Sequence, residues 1–157
     1  MANSNCVPGL NDSVDGCLYN FGTMSVSPSG TICADDKLDP WVACDVWYVS
    51  WGARKDGKHF IRPLPEIYHS AHTQSHFGSD ANAWRELSRF SIIEMSDGPM
   101  FFVGSLSQRA ECGDGCGWGN NYPWEGFSLL SRSLASYSAT RMGMRWATDI
   151  RTQEDTK

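Results

Sequence analysis

The stretch FIRPLPEIYHSAHTQSH, residues 60–76, holds the densest set of groups able to do chemistry in this chain. An extended run ends in Glu66, with Tyr68 just beyond it, and His69, His72 and His76 follow within ten residues. A glutamate framed by Leu64 and Ile67 has the apolar setting that a general acid uses. Its simpler account is an ion pair with Arg62, Arg85 or Arg151. The three histidines stand at i, i+3 and i+7, a spacing that would put them on one helix face and let them ligate a transition metal. The residues between them make a weak helix that runs into Phe77-Gly78, so a loop without metal is the expectation. No H-E-x-x-H or G-x-S-x-G motif occurs, which removes the signatures of zinc proteases and of α/β-hydrolases. GDGCGWGN is glycine-rich but follows no phosphate-binding pattern, and no cofactor is called for.

Further polar groups stand where extended segments give out. Ser105, Ser107 and Gln108 close one such segment and Asp149 closes another, while Asp45 lies near the start of a third. Gln108 could equally tie down the next loop, and Asp149, followed by Ile-Arg, could be a cap or an ion pair. Trp47, Trp51 and Trp118 are stacking surfaces for a ligand ring if exposed, and core filling if not.

These groups need elements to position them. CLYNFGTMSV (17–26) is strand-like, CDVWYVSWGA (44–53) reads as a buried strand, and HFIRPLPEIYH (59–69) is extended. The two prolines of the last exclude a helix and argue against regular pairing throughout it. PMFFVGSLSQ (99–108) and GMRWATDIR (143–151) complete the strands. SDANAWRELSRFSIIEM (79–95) opens with a Ser or Asp cap and gathers Ala83, Trp84, Leu87, Phe90 and Ser91 on one helix face, with Ile93 at its edge. YPWEGFSLLSRSLASYS (122–138) has Pro123 near a helix start and repeats Phe127, Leu130, Leu134 and Tyr137. From residue 59 the order is strand, helix, strand, helix, strand, which indicates an α/β fold with parallel packing. In such folds functional groups collect at the carboxyl ends of strands. Glu66, Gln108 and Asp149 are then candidates for one rim, where a carboxylate pair surrounded by hydrogen-bonding groups and aromatic rings is the layout of glycoside hydrolysis.

The 157 residues suit one domain: an irregular arm over 1–40, an α/β core over 41–151 and a polar tail over 152–157. A net charge of −5 without a basic run argues against nucleic acid. No apolar run is long enough to cross a bilayer, and MANSNCVPGL has no apolar leader segment. Six cysteines, Cys6, Cys17, Cys33, Cys44, Cys112 and Cys116, read as disulfides. Local pairing would join Cys6–Cys17, Cys33–Cys44 and Cys112–Cys116, tying the arm; a zinc site is the competing use, but no C-x-x-C pair is present. Disulfides imply an oxidising compartment, hence a secreted or periplasmic protein.

The succession VWYVSWGA, PLPEIYH, AWRELSRFS, MFFVGSLSQRAEC…GC and RWATDIR, over about residues 44–151, resembles the C-terminal half of glycoside-hydrolase-like (β/α)-barrel domains of secreted bacterial proteins. The resemblance implies a reduced or partial barrel-like sheet with flanking helices and a sugar-facing cleft at the strand ends. A complete eight-stranded barrel needs about 200 residues or more, so a half that pairs as a homodimer is one form it could take. It further implies a polysaccharide or peptidoglycan partner, with Glu66 as general acid and Asp149 as base or nucleophile. Gln108 and Tyr68 would position the sugar, and Trp47, Trp51 and Trp118 would stack on it. A binding module for glycan or cell wall that lacks the chemistry is the alternative.

Overall fold

The computed structural model describes residues 18–22, 43–52, 59, 61–68, 80–109 and 121–149. Among them the elements run β1 (Leu18–Gly22), α1 (Ala43–Ser50), β2 (Ile61–Pro65), α2 (Asp80–Ile93), β3 (Gly104–Ser107), α3 (Pro123–Ala135), a short 3-10 turn (Ser138–Thr140) and β4 (Trp146–Asp149). Strands β1 and β2 pair in parallel from Leu18↔Ile61 to Gly22↔Pro65, and β3 and β4 from Gly104↔Trp146 to Ser107↔Asp149. One parallel bridge, Glu66↔Leu106, joins the two pairs, with the Ile67 N–H donating to Leu106 O at 2.9 Å. Neighbouring strands thus follow chain order, and each parallel step is spanned by a helix, as a parallel crossover requires.

The prolines of β2 explain why this junction is so short. In a parallel strand the N–H groups of alternate residues point to the same neighbour. Since the Ile67 N–H faces β3, positions 63 and 65 face it too, and both are prolines without a donor. The opposite edge of β2 keeps its donors and is laddered to β1 over five residues.

One element departs from the sequence reading. The run 44–53 is not a strand; its first seven residues lie in α1, and Asp45 stands in that helix's first turn. Aromatic and β-branched residues favour strands, but the buried positions are Ala43, Cys44, Trp47, Ser50 and Trp51, a helical spacing, with Asp45, Tyr48 and Val49 exposed. The chain needs a crossover between parallel β1 and β2, and this segment supplies it. Cys44 is disulfide-bonded; the other five cysteines lie outside the described residues, and with them the expected pairings.

Helices α2 and α3 fall where periodicity places them. The buried face of α2 is Ala81, Trp84, Leu87, Ser88, Phe90 and Ser91, so Ile93 is left exposed and Ala83 half-buried. That of α3 is Gly126, Leu130, Ser133 and Leu134. Phe127 is half-buried, and Tyr137 leaves the helix to lie under the Arg89 guanidinium, 4.7 Å from its ring centroid. The two helices meet through Ser133 Oγ donating to Asn82 Oδ1 (2.7 Å) and Arg85 donating to Ser136 Oγ (3.0 Å). Their apolar faces join Trp47, Trp51, Ile67, Met100 and Phe102 in one core.

The strand expected over 99–108 is laddered only from Gly104. Its first half packs on α2 instead, where the Met100 N–H donates to Ser88 Oγ and Ser91 Oγ donates to Gly98 O. The turn between them holds Ser96 at φ 52°, a left-handed conformation that favours glycine. Ser96→Gly is therefore expected to stabilise the fold by about 1 kcal/mol, measured as a rise in the urea midpoint; an unchanged or lower midpoint would contradict this turn geometry.

Candidate functional site

The carboxyl ends of the four parallel strands lie at one edge of the sheet. Glu66 is half-buried there, directly after β2, in a cross-strand row with Leu106 and Thr148. Ile67, the next residue, is fully buried in the helix-covered core. Because successive residues of a strand face opposite sides, Glu66 belongs to the face away from the helices, and Tyr68 shares it. Tyr68 hydrogen-bonds to Glu66, and Gln108, half-buried, directly follows β3, so the three residues stand at the carboxyl ends of the adjacent strands β2 and β3.

The backbone here is clamped. Asn121, 2 % exposed, uses its N–H on Tyr68 O (2.7 Å) and its side-chain amide on Ile67 O (3.0 Å). This ties the residues leading into α3 to the end of β2. Such a clamp keeps Glu66 and Tyr68 on a rigid element, where a site can be held in one geometry.

Burial of the Tyr68 hydroxyl pushes its pKa well above the ordinary phenol range, helped by a hydrogen bond to Glu66 and by the negative charges of Glu66 and Asp80. Tyr68 therefore stays a neutral hydroxyl hydrogen-bonded to Glu66. The raised value means that folding favours the protonated phenol, so this stability is present below about pH 10 and is lost as pH climbs above it. In an alkaline absorbance titration Tyr68 is expected to remain protonated until the chain unfolds, a late component that Tyr68→Phe removes. Titration of every tyrosine near the ordinary value in the folded protein would contradict this environment.

The remaining candidates separate. Asp149 occupies the register position beside Ser107, one step past the Glu66–Leu106–Thr148 row. By strand alternation its position is on the opposite face from that of Glu66. Trp47 and Trp51 are only 4 % and 5 % exposed, so both are core residues with no ring face to offer a sugar. Trp51 stacks on His59 (4.1 Å) and carries the Arg62 guanidinium (4.9 Å). The His59 Nδ1 donates to Trp51 O at 2.7 Å, and its Nε2 lies 3.1 Å from Asp97, a structural clamp. Of the arginines that could have paired with Glu66, Arg85 donates both Nε and Nη2 to Glu86 Oε1. Trp118, His69, His72, His76 and Arg151 lie outside the described residues. Among the described residues no three His, Cys, Asp or Glu side chains group as metal ligands, and no helix is long and apolar enough to cross a membrane.

Two groups absent from the sequence reading join this edge. Asp80, the first residue of α2, acts electrostatically on Tyr68 and is a second carboxylate near that hydroxyl. Tyr122 and Trp124, next to the Asn121 clamp, form an exposed stacked pair with ring centroids 4.3 Å apart and planes 10° apart. Their spacing carries no sequence pattern, and the stack is visible only in three dimensions. No protein-family model, curated protein or solved structure matches the chain.

Proposed function

We propose that the chain is a secreted carbohydrate-active protein that engages, and cleaves, a glycan at the strand-end edge. The reading is supported above all by Glu66 and its hydrogen-bonded Tyr68 at the carboxyl end of β2, with Gln108 directly after the adjacent parallel strand β3. That is where α/β folds place their ligands. Glu66 acts as general acid, Tyr68 orients it, and the Gln108 amide binds sugar hydroxyls. The partial (β/α)-barrel architecture belongs to the same proposal, supported by strands that neighbour one another in chain order with a helix between each pair. The disulfide at Cys44 fits an oxidising compartment.

General acid catalysis at a glycosidic bond needs a second carboxylate. Asp149 is one candidate partner, two strands from Glu66 on β4 and at a register position on the other face; Asp80 is the candidate already near Tyr68. The competing reading is a glycan-binding module without chemistry. Incubation of the wild type and Glu66→Gln with a polysaccharide and peptidoglycan panel, with unfolding curves alongside, separates the two. Cleavage lost in a stable variant supports the hydrolase. Binding without cleavage in the wild type supports the module, and neither binding nor cleavage removes the glycan reading altogether.

A further inference from the structure

Trp124 is the most exposed large hydrophobic side chain of the described residues, at 62 %, yet its ring is held in place. It stacks on Tyr122, and the Arg109 guanidinium lies 4.5 Å from the same Tyr122 ring centroid, with a nitrogen 3.4 Å from the Tyr122 hydroxyl. The Tyr122 ring is thus held by both neighbours, Trp124 stacked on it and Arg109 against its ring and hydroxyl. The base of the stack is fixed as well. Glu125 accepts the Tyr122 N–H at 2.8 Å, Pro123 restricts the chain between the two rings, and Asn121 bonds the end of β2. Packing of the core does not require Trp124 to be there, since the α3 core face is Gly126, Leu130, Ser133 and Leu134.

The geometry points to the outer face of Trp124 as a glycan subsite that stacks a pyranose ring of the same chain whose neighbouring residue reaches Glu66. This rests on the glycan reading above and extends it to a second contact. A pyranose has an apolar C–H face rimmed by hydroxyls. The stack matches it with one flat indole among polar groups: the Arg109 guanidinium, the Tyr122 hydroxyl and the exposed Glu125 carboxylate. A lipid or apolar peptide would need a contiguous apolar patch. Among the described residues, the exposed large hydrophobics outside this stack, Tyr48 and Val49 on α1 and Ile93 at the end of α2, belong to different elements and do not extend it. Holding the indole rigid before binding lowers the ordering cost that an exposed tryptophan otherwise carries.

Calorimetric titration of the wild type, Trp124→Ala, Trp124→Phe and, as an exposed aromatic elsewhere, Tyr48→Ala tests this. The ligands are chito-, cello- and xylo-oligosaccharides and solubilised peptidoglycan fragments. The expected result is binding of one ligand class by the wild type, weakened about 10- to 100-fold in Trp124→Ala, largely kept in Trp124→Phe and unchanged in Tyr48→Ala. Equal binding by wild type and Trp124→Ala overturns the subsite and leaves the glycan reading standing. Absence of binding by the wild type to every ligand overturns both.

Discussion

Glu66→Gln is expected to lower glycan cleavage by about 10²- to 10⁴-fold, the range that a positioned general acid supplies, while leaving the unfolding midpoint where it is. Glutamine has the size and shape of the carboxyl group it replaces. Its carbonyl can still accept the hydrogen bond from the neutral Tyr68 hydroxyl. The bridge from β2 to β3 is a backbone contact, Ile67 N–H to Leu106 O, and does not use the side chain at 66. What disappears is the ability to give and take a proton. A rate that survives the substitution would show that Glu66 is not the acid, and a fall in rate together with a fall in stability would assign it a structural role. Asp149→Asn and Asp80→Asn, measured separately, identify the partner carboxylate. The register favours Asp80, because the position of Asp149 is on the other face of the sheet from that of Glu66. A large loss in Asp149→Asn alone would restore the pairing suggested by the sequence.

How much of this was legible in the sequence depends on whether one periodicity dominated a segment. Helix α2 repeats Trp84, Leu87 and Ser91 against an otherwise polar surface, and α3 repeats Leu130 and Leu134; nothing in either segment competes with a helical reading. The segment 44–53 carries two conflicting signals. Its valines and aromatics suit a strand, while Cys44, Trp47 and Trp51 are spaced as a helix, and the demand for a crossover between parallel strands decides the conflict. That demand is a property of the whole topology and cannot be read from ten residues. The same limit explains the site. Glu66 stands out locally because it ends a proline-rich extended run, and the prolines even determine where pairing with β3 begins. Whether Asp149 accompanies it is a question of register, settled one residue at a time by which N–H meets which carbonyl. Trp124 is hidden for a different reason: its stacking partner Tyr122 is held by Arg109, a residue distant along the chain, so the arrangement exists only in three dimensions.

Gly104→Ala should destabilise the protein by about 3 kcal/mol, at the upper end of what overpacking costs. Gly104 opens β3 opposite Trp146, the first residue of β4. A Cβ added there would collide with the Trp146 carbonyl oxygen and come within 3.0 Å of two carbons of its indole ring. The indole could swing aside, but the oxygen belongs to the ladder itself and can retreat only if β3 and β4 separate. Trimming the ring is therefore an informative control: Trp146→Ala combined with Gly104→Ala should recover little of the lost stability, because the backbone contact persists. Substantial recovery would show that the ring, and not the carbonyl, sets the requirement for glycine. A Gly104→Ala protein as stable as the wild type would refute the β3–β4 register. That register also carries the row Glu66–Leu106–Thr148, so the same measurement tests the placement of Asp149 relative to Glu66. Strand separation would reach the site directly, since Leu106 bridges to Glu66 and pairs with Thr148. In a Gly104→Ala variant examined below its lowered melting temperature, glycan binding at the strand ends should weaken even though no residue proposed to touch the sugar has changed.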